Sequence, residues 1–241
     1  MLERPQKSTS RELVETGAEA GINMLPVVGS TMAVAFAYAV NYSFNKRLNH
    51  WFDELAAAVD DLQQQMDEPL AFEDLAQNET FVDAVINATR AAQATHAREK
   101  LEALRNGVLN STLVGAPDDD EQARFFRLVE QFTPAQLLML TYFDDPHGWF
   151  AARGIQPEQY MAGSRINGLQ PALPEFRNSD WAHLVAKDLA DNSLLIAGLS
   201  GMVSGSAVYD RLTTPLAQRF LRFIADPREL NTGQDEEDGW T

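Results

Sequence analysis

The chain has 241 residues, with 19 basic and 35 acidic side chains, four His and a formal net charge of −16. Its length allows one or two domains, and 45% apolar residues is ordinary for a globular protein and too many for a largely disordered one. It has no Cys, which excludes disulfide frameworks, thiol nucleophiles, Cys-ligated zinc and Fe–S clusters. The acid surplus argues against sequence-independent nucleic-acid binding, which needs Lys and Arg to neutralise phosphates.

The acid is unevenly spread. Residues 1–119 carry nine bases and eighteen acids, and residues 120–230 carry ten and thirteen. The last eleven residues carry the four acids Asp235 to Asp238 and no base. Such charge is ordinarily a solvated face that keeps a protein soluble. Glu3, Arg4, Lys7, Arg11 and Glu12 stand where the apolar core of a secretory leader would begin. With the lack of Cys, this predicts an intracellular protein.

Residues 8–21 read as a short helix capped by Ser10, with Glu12 and Glu15 in early turns, where the helix dipole favours anions. From Ala20 to Asn45 no side chain is charged. A helix of that length can cross the ~30 Å core of a bilayer, but Pro26 and Gly29 interrupt it, and Ser30 to Phe44 falls short of the ~20 residues a span needs. Three readings fit: a central helix buried on all sides, a conditionally membrane-active element over 22–45, or a partner-binding element. The residues that would carry either functional reading are Pro26, Val27, Gly29, Met32, Val34, Phe36, Tyr38 and Val40.

Residues 46–67 follow a helical period, with Leu48, Trp51, Phe52, Leu55, Val59, Leu62 and Met66 on one stripe and Pro69 as the stop. Residues 79–113 read as a second long helix. Phe81, Val82, Val85, Ile86, Ala92, Leu101, Leu104, Val108 and Leu109 mark its inner face, and His96, Arg98, Glu99, Lys100 and Glu102 its exposed side. Gly115 and Pro117 stop it. The four acids Asp118 to Glu121 lack the alternation and central Gly of a calcium loop and are read as a helix N-terminus. That helix carries Phe125, Phe126, Leu128, Val129 and Phe132. Thr133 and Pro134 cap and open the next, which runs through Leu137, Leu138, Leu140, Tyr142 and Phe143. Residues 146–178, with repeated Pro and Gly, read as a loop with one helical turn at 157–161.

Ser179 and Asp180 start a helix with Trp181, Leu184, Val185 and Leu189 expected inside. Residues 194–196 and 207–209 are strand candidates, and Gly198, Gly201 and Gly205 between them suit a hairpin. Thr213, Thr214 and Pro215 open a last helix with Leu216, Phe220, Leu221, Phe223 and Ile224. This order resembles a winged helix. The run LTTPLAQRFLRFI over 212–224 is similar to the wing-to-last-helix junction of such domains, with Ala217 where Gly is usual. The recognition position, 180–191, holds three Asp against Lys187 and no Arg to read guanine, so DNA readout is disfavoured. His183, Lys187, Asn192 and Arg211 then mark a contact surface for a protein partner.

The expected fold is mainly α: a helical bundle of long amphipathic helices over 1–117, a winged-helix-like α+β domain with a small β-hairpin over 118–226, and an acidic flexible tail over 227–241. The PVVG run at 26–29, the pair Lys46 and Arg47, the helix over 79–113, the run FTPAQLLML over 132–140 and the 212–224 ending together resemble Abi-alpha-type bacterial proteins, which are associated with abortive phage infection. The resemblance implies a non-enzymatic phage-defence effector and brings no catalytic residue. The chain has no phosphate-binding glycine loop, no nucleophile elbow and no His ligand set. No enzyme activity, cofactor, metal or small-molecule substrate is therefore expected. A protein partner or a second copy is, with a membrane as the other candidate.

Overall fold

The computed structural model describes residues 31–64, 72–196 and 198–228. It is mainly helical, with one two-stranded antiparallel sheet among the described residues. The chain divides into two compact units, Met1–Arg47 and Leu48–Thr241. The expected helix over 8–21 lies outside the described residues, as does the tail beyond Arg228. The expected boundary at residue 117 falls inside the second unit.

Helix α1 spans Thr31–Gln63. It runs unbroken through Lys46 and Arg47, where the sequence suggests a new helix at 46, and it ends before Met66 and Pro69, which lie outside the described residues. Trp51 and Leu55 are its buried anchors in the second unit, and the Trp51 indole Nε1 donates to Thr89 Oγ1 at 2.9 Å. Helix α2 spans Phe72–Gln77.

The expected long helix over 79–113 is two helices, α3 (Glu79–Gln93) and α4 (Arg98–Asn110). Between them Thr95 Oγ1 accepts from the Ala97 backbone N–H at 3.1 Å. That local bond competes with helix continuation. Asn78 caps α3 by accepting from the Phe81 N–H. The buried face of α3 is Ala84, Ala88, Ala91 and Ala92, whereas Val82 and Ile86, expected inside, are exposed. Small side chains let α3 approach α4 and α5 closely.

Helix α5 spans Asp119–Gln131 with Asp118 as its N-cap, so the acidic run does sit at a helix start. Helix α4 is buried nearly all round, including Lys100, which the sequence places at the surface. The Lys100 ammonium donates to the Glu130 carbonyl at 2.7 Å, at the C-terminal end of α5, where the dipole favours a cation. Burial pushes the Lys100 amine below its ordinary range.

Helix α6 spans Pro134–Asp144 behind a capping box made by Thr133 and Gln136. The stretch expected as a loop is structured. It holds α7 (Pro146–Ala151), β1 (Ala162–Gly163), α8 (Arg165–Ala172) and a 3-10 turn at Pro174–Phe176. Pro146 opens α7 rather than breaking a helix, and Asp145 caps it. Gly168 lies in α8 because a Cβ there would stand 2.8 Å from the Tyr209 ring.

Helix α9 spans Ser179–Asp191, capped by Asn178 rather than by Ser179. The expected hairpin of 194–196 with 207–209 does not form. Leu195 makes an isolated antiparallel bridge to Thr213, while Ser206–Tyr209 is a 3-10 turn. The paired strands are β1 and β2 (Val203–Ser204), in register Ala162 to Ser204 and Gly163 to Val203. Gly205 makes this close approach workable, since a Cβ there would lie 1.5 Å from the Tyr160 carbonyl oxygen.

Helix α10 (Pro215–Ile224) is capped by Thr214. Its Phe220 and Phe223 pack edge-to-face or tilted on Phe125, Phe126 and Phe132 of α5 and its C-cap, with centroids 5.3–6.3 Å apart. The last carbonyls of a helix lack partners within it. Here Asn110 Nδ2 donates to the Phe223 and Ala225 carbonyls, both at 2.8 Å, and Asn106 Nδ2 to that of Ile224 at 3.0 Å. Asn110→Ala is expected to cost about 1–3 kcal/mol of folding stability by leaving buried acceptors unpaired, measurable by urea denaturation. Asn110→Asp should cost more, because a carboxylate would face those carbonyl oxygens.

Candidate functional site

The described part of the first unit is the α1 segment 31–47. Within it Phe36 is 73% exposed, Tyr38 72%, Val40 51% and Tyr42 60%, and Phe44 is exposed as well. At 3.6 residues per turn, Phe36, Val40 and Phe44 share one stripe, and Tyr38 and Tyr42 share another about 180° away. The two Tyr rings stack with centroids 6.3 Å apart. Asn41, Asn45, Lys46 and Arg47 are exposed beside them. A helix apolar on opposite sides is normally enclosed; this one is bare. The reading of a central helix buried on all sides is therefore corrected for Phe36, Tyr38, Val40 and residues 41–45. Of the other residues singled out there, Pro26, Val27 and Gly29 lie outside the described residues. Met32 and Val34 lie on the α1 backbone, and their side chains lie outside them too.

The second surface is α9. Its buried stripe is Ala182, Val185, Ala186 and Leu189. Trp181 and Leu184, expected inside, are 41% and 51% exposed. Trp181 and Leu184 could have been suspected from sequence, because they form a second apolar stripe beside Val185 and Leu189, and one helix face packs inward. Around them stand Asp180, Asp188 and Asp191. Lys187 is ion-paired to Asp191. His183 Nδ1 lies 2.7 Å from the Ser179 carbonyl, and Asn192 Nδ2 donates to the Asp188 carbonyl at 2.8 Å. Arg211 Nε donates to the Asp144 carbonyl at 2.6 Å. Each of His183, Lys187, Asn192 and Arg211 is thus engaged locally, and no hydrogen bond or ion pair among the described residues joins one to another.

A cleft of about 220 Å³ lies in the second unit, lined by Glu54, Asp61, Arg105, Asn106, Asp226 and Arg228 among others. Arg228 Nε donates to Asp226 Oδ1 at 2.8 Å. That hydrogen bond, with Arg105 nearby, holds the Asp226 carboxyl below the usual range. Its charges are of both signs, and Asp226 and Arg228 bind each other. No group of three or more His, Asp or Glu among the described residues is placed to hold a metal ion. No helix among them is long and apolar enough to cross a membrane.

An aromatic cluster surrounds Tyr142, which is fully buried and lies 5.1–6.3 Å, ring to ring, from Phe143, Trp149 and Phe150. Burial pushes its hydroxyl well above the ordinary tyrosine range, and that hydroxyl has no hydrogen-bond partner among the described residues. Compared with family models, curated proteins and solved structures, the chain matches none. Because the Tyr142 hydroxyl is unpaired, Tyr142→Phe should leave the melting temperature unchanged or raised. Tyr142→Ala should cost about 3–5 kcal/mol by emptying the cluster, and calorimetry on both variants checks the contrast.

Proposed function

We propose that the chain is a non-enzymatic effector of the abortive-infection kind that acts through a membrane, with the α1 segment 31–47 as the acting element. One observation carries this reading: the uncharged helix exposes Phe36, Val40 and Phe44 on one side and Tyr38 and Tyr42 on the other. A groove or a flat protein surface covers one side of a helix, whereas acyl chains surround it. At about 1.5 Å per residue the uncharged part is roughly 22 Å long, less than the ~30 Å hydrocarbon core. Insertion into part of the bilayer therefore fits better than a full crossing. Asn41 and Asn45 make that insertion weak, as expected of a conditional element.

A second reading is supported by α9. What supports a winged-helix-like contact domain over 133–225 is the Thr-capped helix at its start, the bridge between Leu195 and Thr213 and the Thr-capped last helix. The exposed Trp181 and Leu184 at the recognition position, among Asp residues, suit a protein partner better than DNA.

The test is expression in bacteria with fractionation and growth curves for wild type, Phe36→Asp and Val40→Asp. Both positions are exposed, so each variant should melt within a few degrees of wild type. Wild type is expected in the membrane fraction, with growth arrest, and the variants in neither. Wild type that stays soluble and harmless would overturn the membrane reading and leave the α9 surface as the one to pursue.

A further inference from the structure

From the charge pattern around α1, we infer that the lipid surface it meets is anionic, with Lys46 and Arg47 as the headgroup contacts. This deepens the membrane reading and rests on it. The chain carries sixteen more acids than bases, so an anionic surface should repel it. Residues 20–52 are the exception: they hold no acid, and their only full charges are those of Lys46 and Arg47. Both are exposed and follow directly on the apolar stripes that end at Phe44. Neither is engaged by an acid among the described residues. His50, the next titratable group, is committed to Glu54 at 3.3 Å.

The order along the helix matters. Phe36, Tyr38, Val40, Tyr42 and Phe44 come first and the two bases follow, so apolar groups and cations occupy successive levels rather than opposite faces. A helix that lies flat in the interface has a charged face and an apolar face. A helix with its charge gathered at one end and apolar groups on both sides enters end-on. Its cations then stop at the level of the phosphates, and its Tyr rings lie below, where amphipathic aromatic groups are favoured. Neutral zwitterionic headgroups would offer those cations no net field, whereas an anionic leaflet attracts each base near its surface.

The experiment is vesicle sedimentation with the full chain. The probes are phosphatidylcholine alone and phosphatidylcholine with phosphatidylglycerol, for wild type, Phe36→Asp and the double variant Lys46→Gln/Arg47→Gln. Wild type should prefer the anionic vesicles. The double variant should lose roughly thirtyfold of that affinity with little change toward neutral vesicles, and added salt should weaken wild type in the same way. Phe36→Asp should fail on both. Equal binding of wild type to the two vesicle types, or an unaffected double variant, overturns the anionic preference and leaves the membrane reading standing. Binding to neither overturns both. A lipid-free control distinguishes the remaining occupant: a wild-type oligomer that Phe36→Asp turns into a monomer would assign the bare helix to other copies of this chain and overturn the lipid assignment.

Discussion

The hydrogen bonds from Asn106 and Asn110 to the end of α10 are the constraint around which the second unit is built. They join residues 113 and 118 positions apart in sequence and supply the acceptors of a helix end with the donors it lacks. With α10 fixed there, Phe220 and Phe223 are brought against α5 and its C-cap. Gly107 leaves room for this, since a Cβ on it would stand 2.9 Å from the Phe223 ring. Helix α4 therefore faces α3, α5 and α10 at once. That accounts for its burial on nearly every side and for the enclosure of Lys100, whose charge is matched by the end of α5.

The C-terminal elements are tied on by a second set of contacts. Leu212 N–H donates to the Phe143 carbonyl and Thr213 Oγ1 to Asp144, which secures the last crossing to the end of α6. Tyr209 Oη reaches the Glu158 carbonyl at 2.9 Å and holds the segment before β1. These bonds explain how a stretch rich in Pro and Gly is ordered without long elements of its own.

Much of the helical order was legible because helix starts are local. Asp118, Thr133 with Pro134, and Thr214 with Pro215 sit where their side-chain chemistry says a helix begins. What was illegible depended on distant partners. Gly148 and Gly168 read as breaks and Gly205 as a hairpin turn, yet each marks a place where another group comes too close for a Cβ. Large apolar residues at 82, 86, 181 and 184 outranked their Ala neighbours by size, while the fold buries the Ala stripes because helices can approach there. In the candidate site, the lack of charge over 20–45 was visible directly. The exposure of Phe36 to Phe44 was not, because a buried helix and a bare one can share the same composition.

The bare helix and the acid surplus belong together. A molecule that displays five large apolar side chains within nine residues invites its own copies to stick, and mutual repulsion among highly charged molecules opposes that. The sequence pI of about 4.5 sets where this protection ends. As solution conditions approach that acidity the repulsion vanishes while the aromatic stripes remain, so the chain's colloidal behaviour is governed by a balance between one short helix and the charge of everything else.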